Sequence, residues 1–600
     1  MRIRQSGSHL VAERGARVED WSWRRTKRRL QMLARLAGPY KLQAGLAIAS
    51  LLAATATSLA PPYLAKLAID RGIAHRDLRA LGIIVAGFLA AGLANWGTSA
   101  AQTYFAGWTG ERILADLRAG LFRHLQRLSL GFYERNRAGV IISRLTNDVE
   151  ALDQLVTEGL NSLVRSSLTL VGSAALLFVL DWRLALATLS VFPAMTAATA
   201  LFRRRSARAY RAVRERLALV TAALAEDIAG MRVVQAFSRE RQNMRRFREV
   251  NARYREANHR TVVLNGFYFP FVDFLSAAAT AVVLGYGGYL VSGGDLTVGT
   301  LFAFIGYLSN FFDPVQELSQ LYNTFLSATA ALDKIVDVLD EEPEVRDRPG
   351  ARPLARIEGH VRFHHVRFGY GQGPDVLHDI DLDIPAGTTV ALVGHTGAGK
   401  STLAKLLARF YDPRSGSITI DGVDLRDVTQ ASLRSQLGIV PQQGFLFAGT
   451  VRENIAFARP EASLEEVEAA ARAVGAHDFI MGLEQGYDTF VGERGARLSL
   501  GQRQLVAFAR ALLADPRILI LDEATSSVDI GTERAIERAL RRLLAGRTAL
   551  VIAHRLSTIR RADLIVVLAH GRVAEQGTHR QLLARRGLYA SLYGDWAAVA

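Results

Sequence analysis

Six runs of mostly apolar residues, each near the ~20 needed to cross a bilayer as a helix, fill the first half of the chain. They are Leu42–Leu64, Leu81–Phe105, Leu160–Leu180, Leu184–Phe202, Phe267–Val291 and Val298–Ser327. The connections alternate in length and charge. Those at Asp70–Asp77, Asp181–Arg183 and Ser292–Thr297 are short, whereas those after the second and fourth runs are long and rich in Arg. Because Lys and Arg concentrate on the cytoplasmic side of membrane proteins, the long loops, both termini and everything after the sixth run are expected in the cytoplasm. An even number of spans agrees with that. The long loops, such as Glu111–Leu130 and Arg203–Ala257, carry almost no Pro and place apolar residues at helical spacing among charges. That pattern predicts membrane helices prolonged into water.

The pattern changes after the sixth run. Glu341, Glu342, Pro343, Pro349, Gly350 and Pro353 mark a linker. From Ile357 onward, short β-branched runs such as Thr389–Val393 and Ile518–Leu521 alternate with helical segments, as in a sheet wrapped by helices. The expected organisation is a basic N-terminal segment over 1–41, an α-helical membrane domain of six transmembrane helices over 42–330, a linker over 331–356 and an α/β domain over 357–600. A chain of 600 residues needs at least two such units, since single cores stop growing near ~250–300 residues.

Composition refines this picture. Half the residues are hydrophobic, yet 22% are charged, which a bilayer alone cannot hide. The net charge of +16 raises the question of nucleic acid. The positive-inside bias and the anionic inner leaflet account for it better, and no nucleic-acid partner is expected. With no cysteine there is no disulfide framework, thiolate metal site or thiol chemistry. The basic stretch before Leu42 has no long apolar core of the signal-peptide kind.

The chemistry sits in the α/β half. Gly394, His395, Thr396, Gly397, Ala398, Gly399, Lys400 and Ser401 follow an apolar strand and open a helical run at Thr402, the context of a phosphate-binding P-loop. Backbone N–H groups and the helix N-terminus would cradle β- and γ-phosphates, with Lys400 as a point charge and the Ser401 hydroxyl on Mg²⁺. His395 occupies a variable position. Ile518–Glu523 reads as a buried strand ending in two carboxylates. Asp522 would reach Mg²⁺ through water and Glu523 would serve as general base. An isolated acid pair would read as a solvated strand end, and the P-loop argues against that. His554, after the strand Ala549–Ile552, is placed to meet the γ-phosphate, although a solitary His is more often structural. The other histidines lack metal-ligand spacing, so no metal beyond Mg²⁺ is expected.

Leu498-Ser499-Leu500-Gly501-Gln502-Arg503-Gln504 resembles the signature motif LSGGQ of the ABC superfamily. Tyr370 resembles the A-loop aromatic that stacks on adenine and Gln442 the Q-loop glutamine. Ser526–Asp529 resembles the D-loop and Gly492–Gly495 the X-loop of exporters. Phe132–Arg135 with Gly139 and Ser143–Asp148 resembles the first coupling-helix region, and Gly230–Phe237 with Glu240 the second. The resemblance covers nearly the whole chain after Arg28. It implies an α/β ABC ATPase domain that binds ATP and Mg²⁺, with Tyr370, Gly394, Thr396, Gly397, Ala398, Gly399, Lys400, Ser401, Thr402, Gln442 and Asp522 at the nucleotide. It also implies Ser401, Gln442 and Asp522 at the metal, and Glu523, His554 and Gln442 in catalysis.

In this family two ATPase domains close head to tail, so Ser499, Gly501 and Gln502 act on a partner's nucleotide. With one membrane domain and one ATPase domain, this is expected to be a half-transporter that must dimerise. Leu500 departs from the motif's first glycine. A bulky side chain there favours a heterodimer with one weakened ATP site over a homodimer. The expected activity is ATP-driven export of hydrophobic or amphipathic compounds from a bacterial cell membrane, with membrane lipid as a further partner. A gated channel or non-transport ATPase is the alternative. Asp273, Asp313 and Glu317 fall within the spans, where an ionised group costs at least ~2.5–3.5 kcal/mol. They either line a polar cavity or form a structural or headgroup-level network.

Overall fold

The computed structural model describes residues 38–599 apart from 443, 523–529 and 554. The basic segment read over 1–41 therefore lies, up to residue 37, outside the described residues. The chain divides into two compact units. One joins Met1–Gln126 to Gly139–Asp340, the other joins Arg127–Ala138 to Glu341–Ala600.

The first unit is helical. Its principal helices are α1 (Lys41–Ser58), α2 (Leu78–Leu125), α4 (Leu160–Leu180), α5 (Phe192–Ala229), α6 (Glu240–Ser292) and α7 (Val298–Asp340). The short α3 (Leu130–Arg135) falls within the second unit. Helix α2 starts where Asp77 Oδ1 accepts from the N–H groups of Arg79 (2.9 Å) and Ala80 (3.0 Å), satisfying donors that the first turn leaves free. Asp181 does the same for the helix Trp182–Leu189 through the N–H of Leu184. Pro270 and Pro314 stand inside α6 and α7, where each removes a backbone donor and favours a bend.

Leu184, Val272, Ala279, Val283, Phe304 and Tyr307 form the heart of this unit, each fully buried. Outside it, large apolar side chains stay exposed: Leu89 and Leu93 are 69% exposed and Trp96 71%. A water-soluble helix would turn such a stripe inward, whereas lipid accepts it. Five helical segments, Gly38–Ile73, Leu78–Leu125, Ala138–Leu180, Trp182–Ala229 and Glu240–Ser292, are long and apolar enough to cross a membrane. The sixth expected run is helical, as the start of α7, but does not join that group among the described residues. Asn310, Asp313 and Glu317 dilute its apolar character. Helix α7 continues through Asp340, so the stretch read as linker from residue 331 begins as helix. Ala331, Leu332, Ile335 and Val338 are buried at helical spacing.

Among the described residues the second unit carries ten strands: β1 (Val361–Phe368), β2 (Leu377–Ile384), β3 (Thr389–Val393), β4 (Ser415–Ile420), β5 (Val423–Asp424), β6 (Leu437–Val440), β7 (Ile518–Asp522), β8 (Thr548–Ile552), β9 (Leu564–Ala569) and β10 (Arg572–Gly577). A six-stranded sheet runs β10-β9-β3-β8-β7-β6, and a four-stranded antiparallel sheet runs β2-β1-β4-β5. In the larger sheet β9, β3, β8, β7 and β6 are parallel and β10 is antiparallel. Successive residues alternate between two cores. Ala391, Val393, Leu519, Leu521, Ala549 and Val551 pack on one side. Val390, Leu392, Ile518, Ile520, Leu550 and Ile552 pack on the other. Burial on both faces is why these strands read as unbroken apolar runs. Helices α8 (Lys400–Leu407) and α9 (Leu500–Leu513) complete the elements that matter below.

Candidate functional site

The parallel register brings four strand ends to one edge. Leu392 and Asp522 both pair with Ile552, and Val440 pairs with Leu521. Gly394 after β3 and Gln442 after β6 therefore leave the sheet at the same edge as Asp522, the last residue of β7. In open α/β sheets that carboxyl edge is where ligands bind. Glu523, His554 and Ser526–Asp529 lie outside the described residues.

The turn after β3 has the conformation a phosphate cradle needs. Gly394, Gly397 and Gly399 adopt φ of 147°, 85° and 105°. A Cβ on Gly394 would stand 2.2 Å from the Leu568 carbonyl oxygen, and one on Gly399 would stand 2.5 Å from Leu377 Cδ2. Only glycine fits either place. Ala398, Lys400 and Thr402 are buried, whereas Thr396 and Ser401 are exposed. Lys400 opens α8, and its Nζ donates to the carbonyl oxygens of Gly394 (2.7 Å) and His395 (3.0 Å), folding over its own loop. Burial pushes its ammonium pKa below the usual lysine range, and the nearby Asp522 carboxylate opposes that shift.

Asp522 ends β7 half-buried, while Ser401 and Gln442 are exposed at the same edge. A carboxylate, a hydroxyl and an amide oxygen are hard donors of the kind Mg²⁺ takes alongside phosphate oxygens, so these residues fit the ion.

Tyr370 lies against this loop. Its hydroxyl is 3.0 Å from Thr402 Oγ1, and its ring meets Phe368 and Tyr411 edge-on at 5.0 and 5.2 Å. Lys405 Nζ stands 5.5 Å from the Tyr370 ring centroid. The same Lys405 donates to Glu134 Oε1 (2.8 Å), and the buried Tyr411 hydroxyl donates to Glu134 Oε2 (2.8 Å). Burial, reinforced by the Glu134 carboxylate, raises the Tyr411 pKa. Helix α3, which carries Glu134, is held further by Arg135, which pairs with Glu344 and Glu341, and by Ser129 Oγ, which accepts from the N–H of Val345. Sequence reasoning missed Lys405 and Tyr411. Only the Phe132–Arg135 match pointed to Glu134, because these partners lie 271 and 277 positions away.

The Ser499 motif has a local role as well. Ser499 Oγ accepts from the N–H of Gln502 (3.2 Å) and Gln502 Oε1 accepts from the N–H of Ser499 (2.9 Å), a capping box that starts α9. Gly501 is buried and Leu500 half-buried in the first turn. Arg503 ties the preceding loop down by donating to the carbonyls of Leu498 (2.7 Å) and Gly495 (3.2 Å).

Among the intramembrane acids, Glu317 Oε2 accepts from Ser166 Oγ on α4 at 2.6 Å, and Asp273 and Asp313 are exposed on their helices.

A P-loop at the carboxyl edge of a parallel sheet, in one chain with helices of membrane length, defines a membrane-associated P-loop NTPase. Comparison with known proteins makes the class specific. The family model of the ABC transporter transmembrane region matches residues 44–315, and a second, ABC transporter, matches residues 377–526. The chain is 40% identical over 584 residues to an ATP-dependent lipid A-core flippase of Syntrophus aciditrophicus (strain SB), covering 97% of each. It is 43% identical over 550 residues to the ABC transporter ATP-binding protein YknV of Bacillus subtilis (strain 168), covering 91% of each. A solved bacterial Atm1-family ABC exporter with ATP bound aligns with a TM-score of 0.77 at 34% identity, covering 93% of this chain and 98% of that one. The chain belongs to the ABC transporter family. It is an exporter half-transporter, a transporter ATPase of the kind that works as a dimer.

Proposed function

We propose that this chain couples ATP hydrolysis at the β3–β8–β7–β6 edge to export of hydrophobic or amphipathic compounds, drugs, lipids or peptides, through six membrane spans. The observation that carries the reading is the register that delivers the P-loop, Gln442 and Asp522 to one edge. Lys400 offsets charge on the β- and γ-phosphates, Thr396 to Thr402 present backbone and hydroxyl donors, and Tyr370 stacks on adenine. Ser401, Asp522 and Gln442 would hold Mg²⁺, which would supply positive charge to the phosphate oxygens. Glu523 takes a proton from water as the water oxygen bonds to the γ-phosphorus and the bond from that phosphorus to the β–γ bridging oxygen breaks, so that ADP leaves and inorganic phosphate forms; His554 donates to the γ-phosphate. The first half of α7 is the sixth span, and the ATPase domain lies in the cytoplasm of a bacterial cell.

Switching access from one side to the other almost completely takes about 5.5 kcal/mol of differential binding. Clamping of two nucleotides between two ATPase domains is the source. Glu134 is the positioning residue that links α3 to the adenine side through Lys405 and Tyr411. Leu500 favours an asymmetric pair in which this chain keeps the working Glu523, as in heterodimeric multidrug exporters of the TmrAB type. The test is ATP-dependent accumulation of labelled amphipathic compounds in inside-out vesicles, with this chain alone and with its gene neighbour. Accumulation supports a pump. Passive, ATP-gated equilibration would indicate a channel, and full activity of the chain alone would end the heterodimer reading.

A further inference from the structure

Helices α5 and α6 pack side by side and are joined by a layer of aromatic and polar contacts. Phe202 stacks on Tyr268 at 3.9 Å, and Thr199 Oγ1 lies 3.1 Å from the Tyr268 hydroxyl. A little further along, Asn265 Nδ2 donates to the Tyr210 hydroxyl at 3.4 Å. This layer marks the end of the apolar stretch on both helices. Arg203, Arg204 and Arg205 follow Phe202, and Arg260 precedes the apolar run from Thr261. Aromatic rings at such a boundary settle at headgroup level.

Next to the layer the two helices open a cavity of about 580 Å³. Its rim carries Arg205, Arg208, Arg216, Arg253 and Arg260, with Glu256 as the lone acid. Glu256 is already committed to Arg260, at 2.7 Å. The other four guanidinium groups make no ion pair among the described residues. The floor is apolar, formed by Ala209, Ala212 and the buried Ala257, and Val263 and Leu264 lead from it toward the membrane. At 1.5 Å per residue, Arg205 and Arg208 lie about 5–9 Å past Phe202, the depth of the headgroup layer, whereas Arg216 and Arg253 lie about 20 Å from the aromatic layer and reach on into water.

We propose that this cavity binds the phosphate headgroup of an anionic phospholipid from the cytoplasmic leaflet. Planar guanidinium groups suit the phosphate oxygens, and basic pockets between membrane helices on this side suit anionic headgroups. The lipid source follows from what adjoins the arginines. Val262, Val263 and Phe267 are exposed and apolar immediately beyond them, a track for acyl chains that a free phosphate has no use for. The assignment rests on the cytoplasmic placement of α5 and α6 given above.

The experiment uses the full chain, purified in mild detergent and offered phosphatidylglycerol and phosphatidylcholine in equal amounts, with bound lipids counted by native mass spectrometry. The wild type should prefer phosphatidylglycerol. Arg205→Gln with Arg208→Gln and Arg253→Gln should lower that preference at least about fivefold. The corresponding Lys triple variant, and Arg241→Gln with Arg245→Gln and Arg248→Gln elsewhere on α6, should stay within about twofold of wild type. An unchanged preference in the cavity variant, or an equal loss in the α6 control, overturns the site. Displacement of the lipid by glycerol phosphate or inorganic phosphate at millimolar concentration overturns the lipid assignment in favour of a free-anion site. If the triple variant does not fold, Arg208→Gln and Arg253→Gln are measured singly, and no change in either counts against the proposal. ATP-driven uptake by the wild type reports on export separately, so a failed lipid site and a failed export reading give different results.

Discussion

The chain holds two places suited to phosphate, and they are built in opposite ways. The loop after β3 uses three glycines at positive φ, a buried lysine and a strand–helix turn within a few consecutive residues. The basin between α5 and α6 uses exposed arginines on two helices, from Arg205 to Arg260, over an apolar floor. In the first, position is fixed by backbone and the ligand's place by geometry. In the second, charge accumulates without fixed partners, which suits a fluid ligand such as lipid. Rigid backbone sites serve chemistry, whereas side-chain basins serve attachment.

The largest effect that would break this contrast concerns the chemistry. Glu523→Gln should lower ATP hydrolysis by about 10²–10⁴-fold, measured by phosphate release, while nucleotide binding and lipid occupancy stay intact. Near-normal turnover would remove Glu523 as the base.

Next in size is the backbone. Gly399→Ala places a Cβ 2.5 Å from Leu377 Cδ2 at φ of 105°. Strain of about 1–3 kcal/mol should raise the ATP dissociation constant by one to two orders of magnitude, read by fluorescent-nucleotide titration. The basin should be indifferent to it.

Smaller again, Glu134→Ala leaves the buried Tyr411 hydroxyl and Lys405 without their acceptor. A cost of about 1–3 kcal/mol to the ATPase unit should appear in thermal unfolding. Stimulation of ATPase by transported compound should fall more than basal ATPase, and Glu134→Gln should restore part of the stability. Equal loss of both activities would make Glu134 merely structural.

Salt should separate the two sites by the least, but in unequal measure. Raising salt from about 0.1 to 1 M shortens the screening length from ~10 to ~3 Å. Phosphatidylglycerol preference at the exposed basin should drop severalfold, whereas ATP affinity at the buried lysine should change less than about twofold. Parallel losses would show that the two sites do not differ in kind.

The two sites also differ in how far the sequence discloses them. The P-loop is legible because its meaning is local: a strand, a spaced set of glycines, a lysine and a helix follow one another. The apolar spans are legible for the same reason, although Asn310, Asp313 and Glu317 weaken the sixth. Ser499 and Gln502 could have been read as a capping box from their spacing alone. The contact of Glu134 with Lys405 and Tyr411 was out of reach, since it joins segments more than 270 positions apart. The arginine basin was hidden differently. Each arginine looked like one more cytoplasmic charge, and only the side-by-side packing of α5 and α6 gathers them around a cavity.

Whether this chain pumps is decided by ATP-driven accumulation of a labelled amphipathic compound in sealed inside-out vesicles. Uptake against a gradient is expected, and it should disappear in the Glu523→Gln variant and in the presence of a non-hydrolysable analogue. Uptake that persists undiminished in that variant, or that only equilibrates the compound across the bilayer, would contradict that expectation.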